Sequence, residues 1–524
     1  MQRLIKRIHC PSPKLATRPG AHRGYASAKR PSNGPKPALD IKHIRQHPEL
    51  YETTCKERLY TAQADNPAKI IALSEQLVQL QHSGRHLRER ANLLRRVLAN
   101  PATLTDDSTL EDLKALSREE LHADARRIKE ELAVIVEGET DAQRAVEALA
   151  LQLPNLTSAE TPRGAEPRVL SYINERPLFD EEGRSSSSGS RHIWRSHVHI
   201  GGELGILDFA SAATTSGWGW YYLVGAAAQL EQALVQYALA VATRHGWTPV
   251  APPSVVYSHV AAACGFQPRD QHGEQQVYAL AQSDEDAAAG VPPLSLAGTS
   301  EIPLAAMKAA TTLDTAELPL KRVAVSRCYR AEAGARGAST RGLYRVHEFT
   351  KVEMLAWTRA DADAARDVFD EMLDMQTEIL GSLGLHARVL EMPAHDLGAS
   401  AARKVDMEAW FPSRQEHSDG WGEVSSASIC TDYQTRRLQT RARPGGHAAG
   451  GGSGGGGGAD VEFPWTLNGT ALAVPRVLAA LLEVGWDEKA KTVAIPECLR
   501  PWMDGRDKIG PPTPRKKSTS SSKP

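Results

Sequence analysis

Two long stretches in the first third of the chain carry apolar or small residues at alternating intervals of four and three residues. In the first stretch this spacing joins positions 73, 77, 80, 84, 87, 91, 94 and 98. In the second it joins positions 121, 125, 128, 132 and 135, falters at Glu139, and resumes at positions 142, 146, 149 and 153. Such spacing is typical of a coiled-coil seam, in which each helix buries one narrow apolar stripe against its neighbour.

The short connection between the two stretches determines how the helices must pack. The first helix begins near Pro67, and Asn100-Pro101 ends it before a polar turn at residues 103–109. Each helical segment has about 33 residues and is therefore about 50 Å long. Because so short a turn reverses the chain, we predict an antiparallel hairpin. A two-helix hairpin is too thin to enclose an active site, so we interpret it as an arm that reaches a partner.

The outer surface of the predicted arm is rich in basic residues. They are Arg85, Arg88, Arg90, Arg95, Arg96, Arg126, Arg127 and Lys129. A phosphate-contacting face would explain them, but basic runs balanced by neighbouring glutamates are more often solvated surface. Helical seams also serve as dimerisation stalks, so the pattern alone leaves these alternatives open.

The first 39 residues differ in charge from the rest of the chain. They contain nine Lys and Arg residues and no Asp or Glu, which leaves 53 of the 62 basic residues against 63 acidic ones, a net charge of about −10. A basic, acid-free leader with an amphipathic start is typical of an organelle transit peptide, and RGYAS at residues 23–27 resembles a mitochondrial processing site. We assign residues 1–36 to such a leader. The alternative is a disordered basic arm that touches nucleic acid.

The overall composition is that of a globular protein. Hydrophobic residues make up 41% and charged residues 24% of the 524 positions, which excludes a wholly disordered or fibrous chain. A chain of this length predicts two or three domains. The apolar stretches, such as residues 477–482, are far shorter than a membrane span, so no membrane partner is expected. The six cysteines show no paired spacing, which favours a reducing compartment over a disulfide framework or zinc site.

The remaining sequence predicts an α+β fold. A helix over residues 39–60, with Asp40 as its N-cap, precedes the arm, and LPNLT at residues 153–157 ends it. Helical patterns at residues 225–245 and 361–383 then mix with β-rich segments at residues 323–328, 346–354 and 423–430. Because strands and helices do not alternate regularly, we expect an antiparallel sheet. The serine-rich segment at residues 185–190, the glycine-rich insertion at residues 445–458 and the basic tail at residues 511–524 are predicted to be flexible or disordered.

The most informative segment covers residues 326–353, SRCYRAEAGARGASTRGLYRVHEFTKVE. It predicts two strands joined by a long loop rich in glycine and arginine, and arginine forks match phosphate oxygens. An exposed charged hairpin would explain the loop but not Arg330 and Glu332. Strand alternation would place these two charges on one face of an otherwise apolar strand, where both need partners.

This segment resembles motif 2 of the class II aminoacyl-tRNA synthetases, in the version found in seryl-tRNA synthetases. Three further blocks agree with that family in the same order: LAGTSEIPL at residues 296–304, EVSSASICTDYQTRR at residues 423–437, and LNGTALAVPR at residues 467–476, which resembles motif 3. The helix at residues 225–246, followed by Pro249 and Pro253, resembles the motif 1 dimerisation helix. The likeness spans residues 39–502, because residues 40–45 and 153–157 resemble the ends of the family's N-terminal arm.

The resemblance implies an architecture and a reaction. The architecture is a tRNA-binding coiled-coil arm at residues 39–155 and a class II catalytic domain at residues 165–505, with an antiparallel sheet flanked by helices, in a homodimer. The reaction is the activation of L-serine by ATP, with Mg²⁺, to seryl-adenylate, followed by transfer of serine to the 3′ end of tRNA(Ser). Together with the leader, this implies a role in mitochondrial translation in the matrix. Since the carboxylate of serine is the nucleophile, catalysis depends on positioning and on charge stabilisation at the α-phosphate.

The resemblance implies catalytic roles for three charged residues of this chain. Arg330 is expected to grip the α-phosphate and the serine carboxylate, and Glu332 to meet the adenine amino group. Arg476 is expected to cover one face of the adenine ring and contact the γ-phosphate. Phe349 would stack on the other face, and Val346 would touch the base through its backbone.

The resemblance also implies a metal ion that accompanies ATP. Glu423 and Ser426 are expected to hold Mg²⁺, because oxygen ligands suit a hard cation. The expected ATP-binding set is completed by Ala331, Val424 and Ser425.

The serine pocket is expected to come from three of the blocks. Thr299 and Glu301 would lie beside the serine ammonium, and Glu353 and Thr470, with Asn468, near its hydroxyl. A buried site that hydrogen-bonds a substrate hydroxyl rejects alanine, because its own polar groups would be left unpaired.

Several of these residues, taken singly, could have a purely structural role. Thr299 and Thr470 could be ordinary core or capping residues, Glu301 could cap a helix that begins at Pro303, and His347 is best explained as a satisfied core histidine. The residues Asp432, Arg436 and Arg437 could form a structural ion-pair network.

Two alternative functions also remain for the whole chain. The first is a non-catalytic, synthetase-like RNA-binding paralogue, and the second is a ligase that charges amino acids onto carrier proteins. Paralogues of the first kind usually lack a motif 2 or motif 3 arginine, and ligases of the second kind lack the long arm. The presence of Arg330, Arg476 and the predicted hairpin therefore favours the synthetase.

Overall fold

The computed structural model describes residues 34–99, 113, 116–175, 195–266, 277–332, 342–414, 420–445 and 461–511. Several predicted segments lie outside these ranges: the leader up to residue 33, the turn at 103–109, the serine-rich segment at 185–190, nearly all of the glycine-rich insertion, and the tail from residue 512. Within the described ranges, no helix combines the length and the apolar composition needed to cross a bilayer.

The chain before the arm forms two short helices where we predicted one. These helices are α1 (Ile41–Gln46) and α2 (Pro48–Glu57). They separate at His47, because Pro48 lacks a backbone N–H and disfavours helical geometry in the residue before it. Asp40 caps α1 as predicted, since its carboxylate accepts from the backbone N–H of His43 at 2.9 Å. The prediction of one continuous helix was wrong, and the proline accounts for the error.

The two heptad stretches form the predicted antiparallel hairpin. Its helices are α3 (Asn66–Ala99) and α4 (Arg118–Leu151), each 34 residues long. A capping box begins α4, in which Ser117 and Glu120 exchange side-chain and backbone hydrogen bonds. All eight predicted seam positions of α3 are buried or half-buried, as are the seam positions of α4.

The break predicted in the second seam at Glu139 is filled by a cross-helix ion pair. Arg88 on α3 donates to both carboxylate oxygens of Glu139 at 2.7 Å. Glycine is found in the seam of each helix beside this pair. A Cβ at Gly84 would lie 3.1 Å from Ile135, and one at Gly138 would lie 3.3 Å from a Leu80 methyl group. The small residues therefore let the helices approach where a polar pair replaces apolar packing, and α4 continues without interruption.

The basic residues of the arm fall into two groups. Arg85, Arg88, Arg90 and Arg127 form ion pairs within the arm. Arg95, Arg96, Arg126 and Lys129 are exposed and form no ion pair with an acidic residue in the described part of the arm. Solvated ion pairs therefore account for half of the predicted basic face, and the other half remains available to a polyanion.

The body of the protein is built on one large sheet. The described strands are, in chain order, β1 (Arg168–Ile173), β2 (Leu207–Asp208), β3 (Tyr222–Leu223), β4 (Thr248–Val250), β5 (Val255–Tyr257), β6 (Leu294–Leu296), β7 (Thr312–Asp314), β8 (Leu320–Tyr329), β9 (Glu348–Thr358), β10 (Ala387–Glu391), β11 (Arg403–Trp410), β12 (Trp421–Thr431), β13 (Arg441–Arg443), β14 (Trp465–Ala473), β15 (Trp486–Asp487), β16 (Thr492–Ala494) and β17 (Lys508–Ile509). Eight of them form the large sheet in the order β1-β10-β11-β12-β14-β9-β8-β4. All neighbours in it are antiparallel except β4 and β8, which confirms the predicted α+β class.

Helices and smaller strand pairs surround this sheet. The helices after the arm are α5 (His197–Glu203), α6 (Phe209–Thr215), α7 (Ala226–Arg244), α8 (Ser258–Ala263), α9 (Asp284–Ala289), α10 (Glu301–Ala306), α11 (Ala362–Ser382), α12 (Tyr433–Leu438) and α13 (Val474–Val484). The predicted helices at residues 225–245 and 361–383 correspond to α7 and α11. The predicted β-rich segments at residues 323–328 and 423–430 lie in β8 and β12, and the segment at residues 346–354 begins two residues before β9. The main core forms where α7, α11 and α13 bury their apolar faces against the central strands β9, β12 and β14.

The end of the arm is docked onto the body rather than leading into a free linker. The side-chain amide of Asn155 donates to the carbonyl of Ser400 at 2.8 Å, to that of Cys430 at 2.8 Å and to the Thr431 hydroxyl at 3.0 Å. Arg58, which is 1% exposed, donates to the carbonyls of Asn155 and Gly398. Both ends of the arm are therefore fixed to the body, close to the last residues of β12.

This junction leads to a prediction about stability. Asn155→Ala removes the donor to two buried carbonyls, and we expect the free energy of unfolding to fall by about 2–4 kcal/mol. Asn92→Ala, an exposed change on α3, should alter it by less than about 0.5 kcal/mol. Urea unfolding followed by circular dichroism measures both. Equal midpoints for the two variants would contradict the role given to Asn155.

Candidate active site

A cleft of about 540 Å³ opens beside the central strands of the large sheet. Its walls come from the residues just after β8, the segment that leads into β9 and the start of β9, the first half of β12, and the end of β14 with the first turn of α13. Ten of the predicted site residues line it: Arg330, Glu332, Val346, Phe349, Glu423, Val424, Ser425, Ser426, Thr470 and Arg476. The cleft therefore collects side chains from four separate segments of the chain.

Arg330 enters the cleft just after β8, which ends at Tyr329. The expectation that Arg330 and Glu332 lie inside a strand was wrong, because the backbone leaves the sheet at this point. The Arg330 guanidinium lies 5.2 Å from the centroid of the Phe349 ring, and its Nε donates to the Gly298 carbonyl at 3.4 Å. Arg330 therefore links the aromatic wall of the cleft to the loop that precedes α10.

Glu332 has a strained backbone. Its φ of +46° lies in a region that few non-glycine residues occupy and that is enriched at functional sites. Its carboxylate accepts from Arg345 Nη1 at 2.8 Å. Ala331, between Arg330 and Glu332, does not line the cleft.

His347 supports the backbone of Arg330. The carbonyl of His347 accepts from the Arg330 N–H at 2.9 Å, and its Nδ1 lies 3.0 Å from both the Arg330 carbonyl and the Tyr278 hydroxyl. Its ring stacks on Trp220 with the centroids 5.8 Å apart. These contacts agree with the interpretation of His347 as a satisfied histidine.

Arg476 lines the same cleft from the first turn of α13. Pro475 precedes it, and proline suits this position because the first helical N–H groups need no helical acceptor. Arg476 Nε donates to the Tyr344 carbonyl at 2.9 Å, and Nη1 donates to the Glu423 carbonyl at 2.9 Å and to its carboxylate at 3.2 Å. The Tyr344 hydroxyl accepts from the Glu423 N–H at 3.0 Å. Arg476 is thus held in place by groups from two other segments.

An irregularity in β12 brings two predicted metal ligands to one face. Pairing with β11 shifts at Val424, so that Glu423 lies opposite Glu408 while Ser426 lies opposite Asp406. Without this bulge, residues three positions apart would point to opposite faces of the sheet. The bulge therefore places the Glu423 and Ser426 side chains on one face, together with Asp406.

The two carboxylates on this face, those of Asp406 and Glu423, differ in the direction in which their pKa is shifted. Burial raises the pKa of Asp406, and the neighbouring Glu423 adds to this, although Lys404 at 2.7 Å opposes both effects. Burial also raises the pKa of Glu423, but Lys404, Arg476 and Arg330 outweigh it and hold that pKa below its ordinary value. Glu423 is therefore ionised at neutral pH.

Glu423, Ser426 and Asp406 are suited to a divalent cation that binds together with a nucleotide. Among the described residues, no group of three or more His, Cys, Asp or Glu side chains is arranged for a resident metal ion. Mg²⁺ bound with phosphates needs only one or two protein ligands. The Glu423 carboxylate, the Ser426 hydroxyl and Asp406 Oδ1, which has no hydrogen-bond partner in the described structure, supply suitable oxygens.

Glu353 forms a buried charged pair in β9. Lys351, two residues away on the same face, lies 2.6 Å from Glu353 Oε2, and both side chains are at least 93% buried. Thr470 occupies the paired position on β14 and donates to the same oxygen at 3.3 Å. The other oxygen, Oε1, is buried without a hydrogen-bond partner in the described part of the chain. A buried oxygen of this kind is a candidate acceptor for a ligand hydroxyl or ammonium.

Glu301 begins α10 and is held by two amides. Gln434 Nε2 donates to its Oε1 at 2.6 Å, and Asn468 Nδ2 donates to its Oε2 at 3.2 Å. The carboxylate therefore faces α12 and β14 and does not cap α10. Burial and the charge of Glu353 raise the pKa of Glu301 to about 7. The Thr299 hydroxyl accepts from the Glu301 N–H at 3.4 Å, which brings the predicted serine-binding residues close to one another.

Four residues of the site were not assigned a role from the sequence: Lys351, Tyr344, Asp406 and Gln434. Lys351 was detectable, because a lysine two positions from a glutamate in an apolar strand needs a buried partner. Tyr344 and Asp406 act through backbone contacts and strand register, which a single sequence does not specify.

Of the suggested ion-pair network on α12, Arg436 pairs with Asp432 at 2.6 Å, whereas Arg437 donates to the carbonyls of Tyr433 and Leu153.

Comparison with protein families gives two matches. Residues 292–485 match the family described as "tRNA synthetase class II core domain (G, H, P, S and T)". Residues 38–157 match the "Seryl-tRNA synthetase N-terminal domain". The two matches cover the cleft and the arm, respectively.

Curated relatives and solved structures agree with these matches. The mitochondrial serine--tRNA ligase of Saccharomyces cerevisiae is 41% identical over 68% of this chain and 72% of its own. The mitochondrial serine--tRNA ligase of Mus musculus is 36% identical over 91% of this chain and 85% of its own. The seryl-tRNA synthetase from Pyrococcus horikoshii complexed with ATP superposes with a TM-score of 0.73 at 29% identity, over 91% of this chain and 100% of the other.

The buried pair in β9 gives a prediction about the body of the protein. Lys351→Met leaves the Glu353 charge buried without its cation, and we expect the free energy of unfolding to fall by about 3–5 kcal/mol. Arg85→Met, which removes an exposed pair on α3, should change it by less than about 1 kcal/mol. Thermal or urea unfolding of both variants distinguishes the two cases. A stable Lys351→Met protein would show that the pair is not required for folding.

Proposed function

The chain belongs to the seryl-tRNA synthetase family, and we propose that its cleft activates L-serine with ATP before transferring serine to the 3′ end of tRNA(Ser). The proposal rests on the observation that two kinds of binding site lie next to each other. A cleft with two arginines, Arg330 and Arg476, adjoins a set of buried carboxylates and hydroxyls. The cleft with its arginines suits a nucleoside triphosphate, and the adjoining carboxylates and hydroxyls suit a small amino acid with an alcohol side chain.

In the first step, the serine carboxylate attacks the α-phosphorus of ATP. A bond forms between carboxylate oxygen and phosphorus, and the bond to the β-phosphate oxygen breaks, which releases pyrophosphate with its electron pair. Arg330 neutralises the α-phosphate and aligns the attacking carboxylate, and Arg476 holds the γ-phosphate. No protein nucleophile takes part, so the rate depends on alignment and on charge stabilisation.

The adenine is held by the rim of the cleft. Phe349 offers one face for stacking, and Arg476 covers the other. Glu332 accepts from the adenine amino group through Oε1, since Arg345 donates to Oε2. The backbone of Val346, which lines the cleft, completes the contacts.

We assign the metal ligands on the same basis. Glu423 and Ser426 would hold the Mg²⁺ that accompanies ATP, and the ion would neutralise phosphate charge; Val424 and Ser425 line the same cleft. The supporting observations are the β12 bulge, which turns both side chains to one face, and the lowered pKa of Glu423. The solved structure of the relative complexed with ATP supports the nucleotide itself.

Serine selection rests on the polar residues beside the cleft. Glu301 and Thr299 receive the serine ammonium, and Glu353 and Thr470 receive its hydroxyl, with Asn468 between the two groups. The unpartnered Oε1 of Glu353 supports this assignment. Alanine would leave that oxygen unpaired, which disfavours its binding.

The arm binds the tRNA, and two copies of the chain form a homodimer. We assign the arm to residues 39–155 and the catalytic domain to residues 165–505, a division supported by the separate family matches. Arg95, Arg96, Arg126 and Lys129, which form no ion pair within the described part of the arm, suit tRNA phosphates. Exposed apolar side chains at Val255, Tyr257 and Leu294 on the β5–β6 pair support a subunit interface near motif 1.

The protein acts in mitochondria, and specifically in the matrix. The relatives named as mitochondrial enzymes and the acid-free basic leader support this location. Translation within the organelle requires the charged tRNA on the same side of the membrane as the ribosome.

The function is tested by pyrophosphate exchange. The purified protein should exchange pyrophosphate into ATP with serine, and roughly 10⁴-fold less efficiently with alanine, because alanine lacks the hydroxyl. Threonine serves as a second competitor. Arg330→Ala should lower exchange by about 10²–10³-fold, whereas Arg441→Ala, an exposed arginine on β13, should leave it unchanged. Absence of serine-dependent exchange would favour the non-catalytic paralogue instead.

The role of the arm is tested by shortening it. Leu80 lies against Gly138, so residues 77 and 141 face each other across the hairpin and can be joined by a short Gly-Ser linker. This deletion keeps the packed root around Ile70, Val146 and Ala150. We expect serine-dependent exchange within about twofold of the full chain and aminoacylation of tRNA reduced more than about a hundredfold. Unchanged aminoacylation would exclude the arm as the tRNA-binding element.

A further inference from the structure

Gln434 is a buried amide at the edge of the serine-binding residues, with no substrate role implied by its motif. It lies on α12, is 0% exposed, and donates through Nε2 to Glu301 Oε1 at 2.6 Å. Its own Oε1 is buried without a hydrogen-bond partner among the described residues. A buried, unpaired acceptor is unfavourable, and a residue that only filled space could be apolar at no such cost.

The orientation of this amide matches one protonation state of Glu301. An amide N–H donates to an ionised carboxylate, whereas a protonated carboxyl would be matched equally well by the amide oxygen. Asn468 approaches the second oxygen of Glu301 at 3.2 Å. Both oxygens therefore receive one amide donor each, which fixes the plane of the carboxylate and leaves its remaining lone pairs for a ligand.

We propose that Gln434 is a positioning residue, which orients the Glu301 carboxylate and favours its ionised form so that it can receive the ammonium group of serine. This inference rests on the proposed function. The inference goes beyond the proposed function, because it assigns part of the affinity for serine to Gln434, a side chain that does not line the cleft. Gln434 acts through Glu301 and does not itself contact the reacting atoms.

Glu301 needs such a donor because of the groups around it. Burial and the negative charge of Glu353 on β9 favour its protonated form, and Lys351 and Arg330 oppose them. Cys264 after α8 and Cys430 on β12 also face it, but burial raises the pKa of both thiols, so they stay neutral. The pKa of Glu301 is about 7, and Lys351, the hydrogen bond from Gln434 and Arg330 all favour its ionised form against burial and Glu353.

The position of Gln434 is secured from the other side of α12. Arg437 donates to the Leu153 carbonyl at 3.2 Å, and Arg436 donates to the Ala38 carbonyl at 3.3 Å. A hydroxyl on the same helix, Thr435, donates to the Pro464 carbonyl at 2.8 Å. These contacts hold α12 against the arm and the sheet, which keeps the amide within hydrogen-bond distance of Glu301.

The test is the pH dependence of serine activation by Gln434→Met, which keeps the size of the side chain but removes the amide. Since the N–H of Gln434 lowers the pKa of Glu301, its loss raises that pKa. The acid limb of kcat/KM for serine in pyrophosphate exchange should therefore move to higher pH. At neutral pH the KM for serine should rise about tenfold to a hundredfold, and the KM for ATP should stay within about twofold.

Thr435→Val is the matched control, because it removes a buried hydrogen bond from the same helix without touching Glu301. It should lower thermal stability and leave both the KM for serine and the acid limb unchanged. Gln434→Glu is a second variant: the new carboxylate is a like charge that raises the pKa of Glu301, so its acid limb should also move to higher pH, and further than that of Gln434→Met.

The outcomes separate this inference from the proposed function. Serine-dependent exchange by the unmodified chain, combined with an unmoved acid limb and an unchanged serine KM in folded Gln434→Met, would overturn the role of Gln434 alone. Equal shifts in Gln434→Met and Thr435→Val would also overturn it, because they would indicate a general disturbance of α12. No serine-dependent exchange by the unmodified chain would overturn both proposals.

Discussion

The balance of buried charge in the centre of the sheet is the constraint on which the rest of the site depends. Four carboxylates, those of Glu301, Glu353, Asp406 and Glu423, lie within the neighbouring strands or against them. Three of them, Glu301, Glu353 and Asp406, are buried and could not remain ionised without cations or amide donors nearby. The protein supplies Lys351, Lys404 and Arg476 from the sheet and the adjoining helix, and Arg330 from the end of β8. The result is a hollow with alternating charge, in which a triphosphate and an ammonium can bind side by side.

This charge pattern requires accurate strand register. Thr470 reaches Glu353 because the two residues are paired across β14 and β9, and Glu423 shares a face with Ser426 and Asp406 because β12 carries a bulge. A shift by one residue would turn these side chains to the opposite face. The apolar faces of α7, α11 and α13 hold the central strands together, and so the packing of the core determines the electrostatics of the cleft.

The sequence predicted those features that depend on periodicity and on local chemistry. The heptads predicted the two arm helices and their antiparallel packing, and the α+β class followed from the irregular order of strands and helices. Residues of the cleft could be named because charged side chains in apolar segments, and their likeness to a family, single them out. Pro48 is visible in the sequence, but the helical pattern on both sides of it predicts one continuous helix.

Other features depend on contacts between distant segments and could not be predicted. The exit of Arg330 from β8, the support of its backbone by His347, and the docking of Asn155 onto Cys430 and Thr431 are of this kind. The roles of the predicted site residues toward their ligands remain predictions, although ten of them line one cleft.

The two ends of the arm leave the body at nearly the same point, and this has a consequence for how such proteins can vary. One added heptad in each helix would lengthen the hairpin by about 10 Å, since each residue adds 1.5 Å. Neither Arg58 nor Asn155 would move. The reach of the arm toward a long, rigid ligand can therefore change through insertion or deletion of heptads in both helices. The residues of the cleft and of the arm's junction with the body stay the same.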